Sequence, residues 1–211
     1  MPTCVVFDCE SDGLPPRVQD EHGRVESDFS NVHCTVACAL VLDSEKLPDL
    51  EHGRKLTCWR DVAPSRGVDP FARLLAEFDD ADVIVAFNGF DFDFPLLKCH
   101  YKCGRGGEPR YHRHLAKCHD LFTRVRGATE RWFKLDTLLA LNGIPGKSSS
   151  GAMAVQMWYD GRREQLEQYC ATDVRRTAQL ALLPELRWGA TPPLPATVFG
   201  LVPAVRAAVA P

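Results

Sequence analysis

Nowhere in the 211 residues does an apolar run approach the roughly 18 residues that a membrane-spanning helix needs, so a membrane partner is not expected. No sign of charge dominates either. Lys and Arg number 25 against 28 Asp and Glu, for a formal net charge of -3. The chain as a whole therefore does not advertise affinity for a polyanion, and a nucleic-acid partner would have to be met by a local basic patch. No internal repeat is present, which excludes a solenoid. The start, "MPTCVVFDCE", has no basic segment ahead of an apolar one, so no secretory signal is expected.

What is present is an ordinary globular composition, 45% hydrophobic and 25% charged, in a length that suits one generous domain. Cysteine is plentiful at nine, an odd number with no framework spacing. Cys4, Cys34, Cys38 and Cys170 sit inside apolar patterns, where a free thiol behaves as a small hydrophobe. Reduced thiols imply an intracellular setting, cytoplasm or nucleus.

"TCVVFDC" reads as a strand, "LPPRVQDEHGRVESDFSN" as a polar loop, and "VHCTVACALVLD" and "KLTCWRD" as two further strands at hairpin spacing. "DPFARLLAEFDDA" has helical periodicity behind Asp69 and Pro70, and "DVIVAFNG" is a continuous apolar run typical of a strand buried on both faces. "DFPLLKCHYK" reads as a helix with Pro95 in its first turn, "CGRGGEPRYHRHLAKC" as a basic loop, and "CHDLF" as a short strand. "KLDTLLALNGIPG", "SSSGAMAVQMWYDG" and "RREQLEQYCATDVRRTAQLALL" read as helices. The order predicts an α/β domain, a mixed sheet with helices on its faces, over residues 1–188. Residues 189–211 form a Pro- and Ala-rich tail, expected to be extended and either packed along the body or disordered.

Four carboxylates stand at element ends. Asp8 and Glu10 leave the first strand on one side of it, since the pleat repeats every two residues. Asp93 opens a helix, where an acid also suits the helix dipole. Asp173 lies on the apolar face of the last long helix, one turn after Tyr169. Four acids brought together need cations, and oxygen donors select Mg²⁺ or Mn²⁺. Two such ions would clamp a phosphodiester undergoing hydrolysis.

These residues also carry a resemblance. "FDCESDGL" resembles the first exonuclease motif of the DnaQ-like DEDD superfamily, "FNGFDFDFPLL" its second motif in the B-family polymerase proofreading form, and "YCATD" its third. They occur in the family's order between residues 8 and 173. Tyr169 lies four residues before Asp173 and Gln168 five before, which resembles the tyrosine subtype, DEDDy, rather than the histidine one. "KSSSGAMAVQMWYDGRREQLEQYCATDV" is similar to RNase H-like exonuclease domains associated with helicases.

The resemblance implies an RNase H-like fold, a mixed five-stranded sheet flanked by helices. It implies a 3′–5′ exonuclease that releases 5′-mononucleotides by a two-metal mechanism. Asp8, Glu10 and Asp173 would hold the first ion and Asp8 would bridge to the second, with Asp93 helping through water. Tyr169 would orient the attacking water; a tyrosine pKa near ~10 keeps it protonated at neutral pH. Gly13 would allow the turn and a close approach of substrate to the backbone. Leu14 would wedge against the terminal base or pack in its loop, Asn88 would touch substrate or satisfy the strand end, and Phe92 reads as core before stacking platform. DNA with a single-stranded or free 3′ end is the favoured substrate. The alternatives are RNA, or a catalytically silent binding module of a polymerase or helicase complex; the filled family positions argue against the silent module.

Between Lys98 and Arg126, eight basic residues face two acidic ones, a local excess of six positive charges. Beside the metal site such a patch would track phosphates. The same segment holds Cys99, Cys103, His114 and Cys118, whose spacing is compatible with tetrahedral zinc. Unpaired thiols and surface histidines are the competing reading. Asp120 and Asp136 read as helix-start or sheet-end acids.

Overall fold

A computed structural model describes residues 3–19, 22–43, 50–61, 69–102, 107–146 and 151–200. The first strand, β1 (Thr3–Ser11), leads into a small hairpin of β2 (Arg17–Gln19) and β3 (Val25–Ser27). Then come β4 (Cys34–Asp43), β5 (Arg54–Trp59), α1 (Ala72–Asp80), β6 (Val83–Ala86), α2 (Asp93–Lys102), α3 (Gly107–Lys117) and β7 (Cys118–Asp120). Four helices follow: α4 (Leu121–Thr129), α5 (Leu135–Leu141), α6 (Gly151–Tyr159) and α7 (Arg163–Ala181). Two-residue strands β8 (Glu185–Leu186) and β9 (Leu194–Pro195) and a short α8 (Ala196–Phe199) end the described chain.

The main sheet has five strands in the order β5-β4-β1-β6-β7. β1, β4 and β5 are antiparallel neighbours, whereas β6 and β7 run parallel to β1. Helices cover both faces, and alternation along β1 sorts its side chains between two cores. Val5, Phe7 and Cys9 join Leu74, Phe78, Phe94 and Leu97 on the α1–α2 face. Phe7 stacks edge-on with Phe78 at 4.7 Å and Phe94 at 5.5 Å. Cys4 and Val6 join Leu121, Leu138, Leu166, Cys170 and Val174 on the other face. Each fully buried ring or branched side chain contributes about 2 kcal/mol relative to exposure. Among the described residues, no helix is long and apolar enough to cross a membrane.

Three stretches differ from the sequence-based expectation. The basic segment is mostly helix: α3 starts at Gly107, keeps Pro109 in its first turn, and buries Tyr111 and His114 three residues apart. Residues read as the end of a short strand instead begin α4, whose N-cap is Asp120. The tail, expected to be extended, carries the short helix α8; as far as residue 200 it takes the packed course of the two expected, with Phe199 fully buried. Residues 201–211 lie outside the described residues.

Candidate active site

β1 is longer than its neighbour on one side. It pairs with β4 along its whole length but with β6 only from Cys4 to Val6. Asp8 and Glu10 lie on the half beyond Val6. Their side chains share the α7 face with Cys4 and Val6, as the two-residue alternation requires. The β1–β4 register shifts between Glu10 and Ser11, where Thr35 has no opposite number and its hydroxyl donates to the Glu10 carbonyl at 3.0 Å. Such a bulge re-aims the side chains around it. Glu10 is buried and Asp8 half-buried.

Helix α7 lies across this half of β1. The thiol of Cys170 donates to the Asp8 carbonyl at 3.3 Å. One turn on, Asp173 is buried, at 2% exposure. Asp8, Glu10 and Cys170 each offer a donor atom, all within 4.8 Å of one another. Asp173 opens with Asp8 and Asn88 onto a cleft of about 330 Å³. Tyr169 is half-buried against the same core.

The structure places Asp93 differently. Its Oδ1 accepts the Cys9 backbone N–H at 2.8 Å, closing the edge of β1 that β6 leaves open. Burial pushes its carboxyl up to about 7; the Cys9 bond opposes that shift and the nearby Asp120 charge adds to it. Asp93 therefore pins a sheet edge. Among the described residues, no group of three potential ligands at this spacing includes Asp93 or Asp173.

Asp120 is its counterpart. One oxygen accepts N–H from Asn88 (3.2 Å) and Thr123 (3.0 Å), and the other from Phe90 (3.0 Å). The reading of Asp120 as a helix-start or sheet-end acid holds on both counts. The turn between the two acids contains Gly89, where a Cβ would come 2.5 Å from that of Ala86 and under 4 Å from both carboxylates. Asn88, at the start of this turn, has φ 66°, a left-handed conformation that asparagine tolerates better than most residues.

Other expected contacts scatter. Leu14 is 65% exposed, free of any core. A Cβ on Gly13 would meet nothing within 4 Å, so local packing does not demand glycine there. Phe92 packs on the α1–α2 core against Phe29 at 5.9 Å, away from the cleft. The described residues lend the zinc reading no support. Both ring nitrogens of His114 are already engaged, by Tyr101 and by Asp79, each at 2.8 Å. Cys99 and Cys118 join no group of three potential ligands, and Cys103 lies outside the described residues. The basic patch also disperses: Arg110 pairs with Asp79, and Lys117 donates to the Phe78 and Asp79 carbonyls.

The sequence reading missed the far wall of the cleft, which is Phe87, Phe122, Trp132, Phe133 and Lys134. Its signal was the adjacent aromatic pair and cation of "RWFK".

Residues 107–185 match a family described as "Predicted 3'-5' exonuclease related to the exonuclease domain of PolB". No curated protein matches the sequence. Among solved structures, the family B DNA polymerase of the hyperthermophilic archaeon Pyrobaculum calidifontis superposes with a TM-score of 0.55 at 20% identity, over 86% of this chain. The fold is RNase H-like. An Exonuclease I from Methylocaldum szegediense is similar over 80% of the chain at 16% identity and a TM-score of 0.46. The chain spans 24% of the polymerase and 42% of that exonuclease.

Proposed function

We propose that the chain is a metal-dependent 3′–5′ exonuclease, acting by preference on DNA and releasing 5′-mononucleotides. One observation carries this reading: Asp8 and Glu10 converge with Cys170 at the free end of β1, in the cleft that Asp173 also lines. The donor set fits a divalent cation. The carboxylates are hard oxygen ligands, and crowding them without a counter-charge is costly. One oxygen of Asp173, Oδ1, is buried and accepts no hydrogen bond, although the residue makes another interaction. Mg²⁺ or Mn²⁺ bound there would lower the pKa of water and offset charge building on the phosphate.

The chain's own groups supply the rest. Asp8, Glu10 and Asp173 would hold the ion, and the hydroxyl of the half-buried Tyr169 would orient the attacking water. Asn88 meets the nucleotide from the opposite side of the cleft. By the resemblance, Asp93 would help to hold a second ion; its Oδ1 is taken by the Cys9 amide, so its Oδ2 would be the oxygen that serves it. The engagement of Asp93 with the sheet edge favours one competing reading, a catalytically silent nucleic-acid-binding or partner module of a polymerase or helicase complex. RNA as substrate rests on the same site, because its acids read phosphate and metal rather than sugar.

The test is shortening of 3′- and 5′-labelled single- and double-stranded DNA and RNA with Mg²⁺, Mn²⁺ or EDTA, beside Asp8→Ala. The expected result is loss of label from the 3′ end that needs both metal and Asp8. No such shortening on any substrate would refute the enzyme.

A further inference from the structure

The far wall of the cleft leads out to a corner that the metal chemistry does not use. Glu130, at φ 56°, ends α4 and turns the chain so that residues 131–134 lie back over it. Trp132 thereby lands on Phe122, with ring centroids 4.9 Å apart, and beneath the Arg126 guanidinium at 4.3 Å. Phe122 in turn meets Phe87 at 5.8 Å. The rings form a continuous path from the end of β6, beside Asn88, to the surface. Despite two neighbours, Trp132 stays 63% exposed. Leu14 and Tyr159 are as exposed, but Trp132 differs from them in lining the cleft that holds Asp8 and Asp173.

The charges around it point the same way. Several arginines elsewhere are spent on carboxylates, Arg54 on Glu77, Arg60 on Asp12, Arg163 on Asp61 and Arg175 on Glu51, although Arg73, Arg113 and Arg187 have no such partner among the described residues. At this corner Arg124, Arg126 and Lys134 have no carboxylate partner among the described residues. Cations free of acids beside an exposed indole suit a ligand with a flat ring and a phosphate.

We infer that Trp132, with Arg126 and Lys134, is a subsite for one unpaired nucleotide of the substrate strand. The base takes the indole face that the Arg126 guanidinium covers, and the displaced guanidinium, with Lys134, meets the adjoining phosphate. A base within a duplex is already stacked on both faces, so the subsite selects a single-stranded or frayed 3′ end. The inference rests on the exonuclease reading for the direction of the strand, but not for the binding itself.

The test is fluorescence anisotropy of a labelled short oligothymidylate and of a blunt duplex of equal length, in EDTA, with Trp132→Ala, Trp132→Phe and Asp8→Ala. Single strand should bind more tightly than duplex. Trp132→Ala should weaken single-strand binding roughly tenfold with duplex binding unchanged, and Trp132→Phe should restore most of it. Asp8→Ala should keep binding. Single-strand affinity unaltered in Trp132→Ala, or an equal loss for duplex, overturns the subsite and leaves the exonuclease standing. Trp132-dependent binding with no metal-dependent cleavage by the wild type does the reverse.

Discussion

Asp93 is the residue where structure and resemblance pull apart. As a family position it is a ligand; in the structure it is a buried pin on the Cys9 amide. A folded-state pKa raised to about 7, against about 3.9 for a free aspartate, means the folded chain binds the extra proton. The associated stability is fully present below the unfolded value and is lost as pH rises from about 4 through 7. Asp93→Asn keeps an acceptor for Cys9 and cannot ionise. Its thermal midpoint in EDTA should therefore exceed the wild type's at pH 8, while exonuclease activity falls. Activity that survives the change would make Asp93 a structural pin alone. A carboxylate that costs stability where an amide would not is what a functional position looks like.

At the scale of elements, Asp120 holds three amides from three places: the end of β6, the turn after it, and the first turn of α4. Asp120→Ala should destabilise the fold by at least about 2 kcal/mol, read from urea midpoints, since it strands buried donors as well as a helix cap. The sequence announced this acid as a helix or sheet terminus, but not that one carboxylate would serve both. Elements with strong periodicity were legible: β1, β4, α1 and α7 lie where the apolar spacing put them. The opening of α3 was not, because glycines and a proline read as loop although helices accept them in the first turn. Asp8, Glu10 and Asp173 were legible because strand and helix periods fix their faces. The location of Asp93 was not, because it depends on the β1–β6 pairing ending at Val6, three residues before Cys9. Trp132 was missed for a similar reason: only the left-handed turn at Glu130 brings it to the cleft.

Across the whole molecule, the C-terminal segment is tied to the far edge of the sheet by a histidine. His119 on β7 lies 2.7 Å from the Phe199 carbonyl through Nε2, and its Nδ1 is buried with no partner. Burial depresses its pKa to about 4; the Phe199 carbonyl opposes this and the Arg124 charge adds to it. The unfolded chain takes up this proton first. Stability is therefore intact above about pH 6.5 and is lost as pH falls from there through 4, by up to about 3 kcal/mol. His119→Gln, which can still donate to Phe199, should flatten that part of the thermal midpoint against pH. The unequal pairing of β1 has its own consequence at this scale. Asp8 and Glu10 are clamped by the ladder to β4, whereas Asn88 lies in the turn after β6, outside any ladder, and is held by the Asp120 carboxylate. The cleft thus has one wall set by a strand ladder and another set by a single carboxylate, so a substitution at Asp120 would shift one wall and leave the other in place.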